Sequence, residues 1–258
     1  MRAQRDVRQS EAGIDVALRP KTRLTVSGQR ADYTFAHEAY LESGLDAVLN
    51  RRQESAKIEF FHDLTPLTTV VVDGDARRDR FVFAPDRDAD SVRVGAGLDL
   101  KPFALISGRL RIGVRKFNAL RPTLTDYQGL VGAASLATTI RGRLHVTAIL
   151  DRDVEYSYLI EQPYYLLTGA RVELTQQLTR IVDVQVRGDA HDIAYRGASA
   201  GNAARDRVDY VQGVGGGVGF RAGDVRVSVN GEQTLRASSG PFRNYQTTRF
   251  WTAVTYGR

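Results

Sequence analysis

The chain has 258 residues, of which 42% are hydrophobic and 26% charged, with a formal net charge of +6 and no cysteine. The hydrophobic fraction excludes general disorder, and the lack of cysteine excludes disulfides and thiolate-based metal or nucleophile sites. Apolar runs such as 70–72 last only a few residues, which excludes a transmembrane helix.

Basic residues are spread along the chain and are mostly arginine, since lysine occurs only at Lys21, Lys57, Lys101 and Lys116. A basic chain can bind nucleic acid, but here the arginines are mixed with 30 acidic residues and form no basic block. We therefore expect no nucleic-acid partner. Segment 1–8 lacks the apolar core of a signal peptide, which indicates a cytosolic start or a chain without its natural beginning.

Apolar and polar residues alternate from about residue 10 onward, most clearly in 92–101, 109–115, 143–151 and 182–187. Because successive residues of a β-strand point to opposite faces, each run predicts a strand with one apolar and one polar face. No segment shows a convincing helical repeat of three to four residues. The predicted fold class is therefore all-β.

Turn-forming residues divide the chain at regular intervals. Short turns are predicted at 19–22, 65–68, 101–103, 141–143, 175–179 and 221–224, and longer polar segments at 36–52, 84–90, 118–126, 158–163, 194–206 and 238–244. This pattern predicts about 12 to 14 long antiparallel strands, each joined to the next by a short turn or a longer loop.

The length of the strands and the polarity of their faces indicate a membrane. The predicted strands are about twice as long as those of a typical sandwich and match the roughly 9–11 residues of a strand tilted across a bilayer. Charged faces such as those of 109–115 and 151–155 exclude a dry core. A closed barrel has lipid outside, water inside and no unpaired edge. The sequence therefore predicts one up-and-down transmembrane β-barrel domain over 1–258.

Aromatic residues cluster near the predicted strand ends, where the interfacial girdles of a barrel lie, although the β-propensity of Tyr and Phe explains part of this pattern. The predicted girdle residues are Tyr33, Phe35, Phe81, Phe83, Phe117, Tyr127, Tyr156, Tyr158, Tyr164, Tyr165, Tyr195, Tyr210 and Tyr245.

The order of turns also predicts where the termini lie. The first strand runs into the short turn at 19–22, and short turns of outer-membrane barrels are periplasmic. Residue 1 is then external, whereas the last strand ends on the periplasmic side. Because exported barrels normally keep both termini in the periplasm, we expect this chain to be the C-terminal part of a longer barrel with its signal peptide upstream.

Several segments resemble bacterial outer-membrane β-barrel proteins that are classed as porins and often encoded near exopolysaccharide genes. These segments are 64–72, 87–94, 101–108, 151–158, 161–169, 213–221 and 253–257. The resemblance covers most of the chain and implies an outer-membrane location, a preceding signal peptide and extra N-terminal strands. Implied partners are outer-membrane lipids, the barrel-assembly machinery and polysaccharide-export components. The chain departs from the usual aromatic C-terminus, since Tyr256 is followed by Gly257 and Arg258.

No motif for catalysis or cofactor binding stands out. The histidines His37, His62, His145 and His191 lack metal-ligand spacing, and no nucleophile signature accompanies them. The glycine run 213–219 lacks the Lys-Ser/Thr of a phosphate loop and predicts a strand with small side chains. We expect no metal, cofactor or catalytic residue.

The polar face is the best candidate functional surface. In an open pore its charges set a field that filters solutes, whereas in the alternative reading Arg–carboxylate pairs stabilise the wall and fill the lumen. The candidate lumen residues are Arg93, Asp99, Arg109, Arg111, Arg115, Arg143, Asp151, Asp153, Glu155, Arg171, Glu173, Asp183, Arg187, Arg226 and Arg249, with Asp189 and Glu232 in the same phase.

The predicted function is passive diffusion through a water-filled, Arg-rich pore of the outer membrane, linked to exopolysaccharide export. The alternative is a non-conducting structural or interaction barrel. A hydrolase at the barrel rim is the least favoured reading, because no nucleophile motif supports it.

Overall fold

The computed structural model describes residues 4–37, 39–40, 43–102, 105–122, 124–159, 161–196, 207–240 and 243–256. Within these ranges the chain forms a sheet of thirteen long antiparallel strands and very little helix. The predicted all-β class, the up-and-down order and the strand count are therefore confirmed.

The long strands alternate with short turns and longer loops, as predicted. They are β1 (Arg5–Arg19), β2 (Thr22–Phe35), β5 (Arg51–Thr65), β6 (Thr68–Phe81), β7 (Ala89–Leu100), β8 (Ser107–Ala119), β9 (Tyr127–Ile140), β10 (Leu144–Tyr156), β11 (Tyr164–Gln177), β12 (Val182–Arg196), β13 (Val208–Ala222), β14 (Val225–Ser238) and β15 (Tyr245–Tyr256). The first long loop also holds β3 (Ala39–Tyr40), β4 (Ser43–Gly44) and helix α1 (Leu45–Leu49), and a 3-10 turn spans Pro85–Arg87.

Each long strand pairs with the long strands before and after it in the sequence, so the sheet is a row of successive hairpins. Strands β1 and β15 are its two edges and do not pair with each other in the ranges described. The described strands thus have the order of an up-and-down barrel with two free edges.

The register assigns the strand residues to two faces, because direct cross-strand partners point to the same side. Ile58, Gly74, Val94, Val114 and Leu130 form one continuous row across β5 to β9. The four aliphatic side chains of this row are 47–63% exposed. We call this side the outer face and the opposite side the inner face. An extended exposed aliphatic surface is typical of contact with lipid.

Charged residues replace apolar ones on the outer face toward the loop ends of the strands. On β6 the outer-face residues from Val70 to Ala76 are apolar or glycine, and the next two are Arg78 and Arg80. About ten residues separate the short turn from these arginines. In a strand tilted as in a barrel, ten residues span a height close to the ~25 Å apolar band of membrane barrels. The arginines therefore mark the level at which the apolar band ends.

The turn between β9 and β10 is tight because two consecutive residues adopt positive φ. Arg141 has φ 52° and Gly142 has φ 65°, and the Arg143 amide donates to the Ile140 carbonyl at 3.2 Å. This type I′ geometry matches the twist of the two strands that it joins.

Helix α1 differs from the expectation that no helix forms. Leu45, Val48 and Leu49 are buried at helical spacing and pack against Phe35 and Tyr158. A single helical turn is too short to show periodicity in the sequence, so the signal was missed. No helix in the described ranges is long and apolar enough to cross a membrane.

Replacing Gly142 with alanine puts a Cβ on a residue at φ 65°, a conformation that costs an L-residue roughly 1 kcal/mol. We expect G142A to lose about this much unfolding free energy in urea titrations in micelles, followed by fluorescence of the single tryptophan, Trp251. Gly188→Ala is the matched control, because the nearest atom to its Cβ position is 3.9 Å away. Equal losses in the two variants would contradict the assigned turn.

Candidate functional site

The inner face collects the residues that the sequence predicts to line the lumen. By register, this face carries all but one of the predicted residues, together with Asp189 and Glu232. The residues on this face are Arg93, Asp99, Arg109, Arg111, Arg115, Asp151, Asp153, Glu155, Arg171, Glu173, Asp183, Arg187, Arg226 and Arg249. Arg143 is the exception, because it lies in the turn between β9 and β10 and is exposed there.

Ion pairs connect β6, β7, β8 and β10 on the inner face. Arg93 pairs with Asp73, and its Nε donates to Asp75 Oδ2 at 2.6 Å. Arg115 Nη2 lies 3.5 Å from Asp75 Oδ1, and Arg115 Nε lies 3.0 Å from Asp153 Oδ1. The Arg115 side chain is only 5% exposed, so two carboxylates balance its buried charge.

The glycines of β13 make room for ion pairs that cross this strand. Arg226 of β14 donates from Nε to Asp183 of β12 at 2.8 Å, and Arg187 of β12 pairs with Glu232 of β14. A Cβ on Gly219 would lie 2.5 Å from Arg226 Nη2, so the guanidinium occupies the space that a side chain would fill. The predicted strand of small residues thus leaves space above its backbone, and charged side chains of the neighbouring strands lie in this space.

Some predicted lumen charges have a direct partner and others have none. Arg111 Nη2 lies 2.7 Å from Asp99 Oδ1, Glu173 accepts a hydrogen bond from Gln185, and Arg249 Nη2 lies 3.4 Å from Glu232 Oε1. Within the described part of the chain, no ion pair involves the following residues: Arg109, Arg171, Asp151 and Glu155.

The loop end of β10 separates from β9, stays paired with β11, and lies on the inner side of β8. The β9–β10 ladder stops at the pair Arg152–Gly132, although β10 continues to Tyr156 and β9 begins at Tyr127. Beyond Arg152, β10 pairs with β11 alone. We call residues 153–167, apart from Ile160, the folded-in end.

The folded-in end is held by an apolar cluster that we call the mouth core: Phe117, Val154, Tyr164 and Leu166, with Tyr156 packed against it. Val154, Tyr164 and Leu166 have the phase of outer-face residues but are at most 6% exposed. The ring centroids of Phe117 and Tyr164 are 4.9 Å apart. Since Phe117 lies on the inner face of β8, this packing places the folded-in end inside the curve of the sheet.

Arg87, in the loop between β6 and β7, binds the folded-in end through hydrogen bonds. Its Nη2 donates to the carbonyl oxygens of Ser157 and Pro163, the latter at 2.8 Å. The residue is 6% exposed, and burial lowers the pKa of its guanidinium to about 10. Arg87 therefore stays protonated at neutral pH, and one charged group binds both sides of the β10–β11 connection.

The folded-in end also reaches two distant loops. Tyr158 packs against the buried residues of α1, in the loop between β2 and β5. Arg243 Nη1, in the loop between β14 and β15, lies 3.5 Å from Tyr158 Oη. Contacts with both sides of the sheet require strong curvature and place the connection across the mouth at the loop end.

The predicted aromatic girdle is largely wrong. By register, eight of the predicted girdle residues face inward: Tyr33, Phe35, Phe81, Phe117, Tyr127, Tyr165, Tyr195 and Tyr245. Two others, Tyr156 and Tyr164, pack in the mouth core, and Phe83 and Tyr158 lie in loops. In the described chain, Tyr210 is the one predicted residue that is exposed on the outer face of a strand. Outer-face aromatic residues near the short turns are instead Phe60, Phe220 and Tyr256. Position at a strand end does not reveal which face a ring occupies.

The histidines lie beside carboxylates or threonine hydroxyls. The hydrogen bond from His37 holds the pKa of Asp46 below its usual range. The pairs are His37–Asp46, His191–Asp189, His62–Thr22 and His145–Thr139. No group of three or more His, Asp or Glu in the described ranges could hold a metal ion.

Arg87 and the folded-in end are not among the features predicted from the sequence. One feature of the sequence does indicate that the girdle assignment is incomplete. Tyr164 and Tyr165 are adjacent in a strand, so their rings point to opposite faces and only one of them can face lipid. The departure of β10 from β9 has no such signal, because the alternation of 151–156 continues without interruption.

Replacing Gly219 with valine puts a side chain where the Arg226 guanidinium lies, so the pair with Asp183 must separate. Both groups are partly solvated, and we expect the unfolding free energy in micelles to fall by about 1 kcal/mol. In an Arg226→Met background the same valine should cost much less. An equal cost with and without Arg226 would show that the glycine does not serve the ion pair.

Comparison with known proteins agrees with this architecture. Among curated proteins, none matches the chain. The sequence model of one family, described as "Putative beta-barrel porin 2", matches residues 10–258, which include all of β2 to β15 and most of β1. The chain therefore belongs to the family "Putative beta-barrel porin 2".

Proposed function

We propose that this chain forms a passive pore of the bacterial outer membrane, in which solutes diffuse along the inner face. The different polarity of the two faces supports the proposal. The exposed aliphatic side chains of the outer face are compatible with lipid, and the charged side chains of the inner face are compatible with water. In this proposal the edges β1 and β15 are closed in the membrane, since a free edge leaves backbone groups unpaired in hydrocarbon.

The wall charges divide into two functional sets in this proposal. Paired residues such as Arg93, Arg115 and Arg226 neutralise their neighbours and stabilise the wall. The unpaired Arg109 and Arg171 contribute positive potential, whereas Asp151 and Glu155 contribute negative potential. The pore is then polar and only weakly charge-selective, with selectivity set by few residues.

The mouth core supports a narrowed external entrance. Its apolar packing and the bonds from Arg87 hold a chain segment across the loop end of the inner face. Solutes then pass beside the folded-in end, which sets the upper size limit.

A non-conducting structural barrel is the second candidate, and two observations favour it. Most inner-face arginines are paired, and the folded-in end contacts loops on both sides of the mouth. Single-channel recording of the full-length protein in a planar bilayer separates the two functions. Ion current supports the pore, and a folded protein without current supports the structural barrel.

The link to exopolysaccharide export, with its partners, stays a prediction from the resemblance. Copurification of the tagged protein with polysaccharide-export components from native outer membranes would support it. Copurification with the barrel-assembly machinery alone would count against it.

Reversing the charge of both Arg109 and Arg171 should lower the anion-to-cation permeability ratio, because no carboxylate neutralises either arginine. The measurement is the reversal potential in a salt gradient across a planar bilayer. Replacing the same two residues with lysine keeps the charge and should leave the ratio unchanged. Unchanged selectivity in the double Glu variant would reject these residues as lumen charges.

Replacing Arg87 with alanine removes the charged donor of two buried carbonyls, a loss of roughly 2 kcal/mol that should release the folded-in end. We expect a larger single-channel conductance than that of the unmodified protein. Arg121→Ala is the matched control, because Arg121 lies in the next long loop and makes an exposed ion pair with Asp86. Equal conductance in both variants would mean that the folded-in end does not narrow the path.

A further inference from the structure

Three neighbouring short turns carry a group of exposed arginines. Arg141 and Arg143 lie in the turn between β9 and β10. Arg180 lies in the turn between β11 and β12, and Arg221 is the last residue but one of β13. We call these four arginines the turn patch.

Backbone hydrogen bonds between the turns hold the turn patch together. The Gln177 amide donates to the Arg143 carbonyl at 2.9 Å, and the Arg221 amide donates to the Ile181 carbonyl at 2.8 Å. Each turn is thus bound to the next one. The four cations therefore lie in one sector of the short-turn end of the sheet.

The turn patch has an excess of positive charge. Within the described ranges, none of its four arginines forms an ion pair with a carboxylate. Asp224 is the one acidic residue in the three turns, whose residues are all described. Asp183, at the same end of β12, is already bound by Arg226 of β14. The charge of this sector therefore favours an anionic partner.

An exposed apolar side chain stands directly beside an arginine at each of the three turns. These side chains belong to Ile140, Ile181 and Phe220, which are 47%, 60% and 57% exposed. By register Ile140 and Phe220 lie on the outer face. The outer apolar surface is therefore continuous with the turn patch, without a polar belt between them.

Cations that adjoin an exposed apolar surface match a phospholipid better than an anionic polymer in water. A guanidinium binds a phosphate group with two parallel donors, and acyl chains cover the apolar side chains next to it. A water-soluble polymer would pair with the arginines and leave those apolar side chains in water. Basic residues at the head-group level attract anionic lipids in the same way.

We propose that the turn patch binds an anionic phospholipid from the leaflet at the short turns. The phosphate lies against the guanidinium groups, and the acyl chains lie against Ile140 and Phe220 on the outer face. This contact rests on the proposed membrane location. It adds a selected lipid to the outside of the barrel, whereas the pore concerns the inner face.

The test measures the lipid composition next to a single tryptophan by bromine quenching. In a Trp251→Phe background, Phe220→Trp reports the turn patch. Tyr210→Trp reports the outer face of the same strand at its loop end, where the acidic Asp192 is the cross-strand partner. The vesicles mix phosphatidylcholine with phosphatidylglycerol, and one of the two lipids carries brominated chains in each experiment.

We expect phosphatidylglycerol to bind about fivefold more tightly than phosphatidylcholine at position 220, the factor for one basic contact with an anionic membrane surface. At position 210 we expect no preference. An equal preference at the two positions, or none at either, would overturn the lipid site.

Two charge variants of the Phe220→Trp protein test the arginines. The first replaces three residues of the turn patch with glutamine and should abolish the preference: Arg143, Arg180 and Arg221. Arg141 stays in place, because its positive φ belongs to the turn geometry. The matched control removes three cations from other short turns and should keep the preference: Arg19→Gln, Lys21→Gln and Lys101→Gln. A preference that survives the first variant, or disappears in the control, rejects the turn patch.

Should the first variant fail to fold, salt decides on the Phe220→Trp protein itself. At 1 M salt the screening length is about 3 Å, so a contact between exposed charges weakens strongly. Loss of the preference supports the turn patch, and a preference unchanged by salt rejects it.

Conductance of the same proteins in planar bilayers keeps the two proposals apart. Ion current without a lipid preference at position 220 rejects the lipid site and leaves the pore standing. A lipid preference without ion current rejects the pore and leaves the lipid site standing.

Discussion

Charge pairing on the inner face is the constraint on which the rest of the molecule depends. A sheet that turns aliphatic side chains outward must place its charges on the other side, where each guanidinium needs a carboxylate or water. Arg115 meets this need by reaching carboxylates on β6 and β10, so it crosses β7 and β9. Such pairs connect strands that share no backbone hydrogen bond, and they add to the ladders between neighbouring strands.

The charged side chains of this face take positions that the small residues beside them leave free. Where β13 presents glycine, the long side chains of β12 and β14 meet above its backbone, as Asp183 and Arg226 do over Gly219. With larger residues on β13, the same charges would project toward the axis. The glycines of β13 therefore keep the charges of β12 and β14 close to the sheet.

The fold follows from the sequence much more completely than the site does. Period-two alternation defines strands and faces locally, so the strand order and the shared face of residues from Arg93 to Arg249 were predictable. The partners of those charges were not, because pairs such as Arg226–Asp183 depend on which neighbours lack side chains. The inward path of β10 and β11 was also hidden. Tyr156 and Tyr164 keep the phase of lipid-facing residues, and only the three-dimensional neighbourhood of Phe117 shows that they are buried.

The strict pairing of each long strand with its sequence neighbours bears on how the protein assembles. Every hairpin forms through contacts that are close along the chain, so ladder growth meets a small loop-closure cost at each step. Any pairing that joins the edge strands has to bring together segments separated by the whole sheet. Closure of the sheet should therefore be the slow, entropy-limited event of folding, preceded by a long-lived curved intermediate whose two edges are still open to other chains.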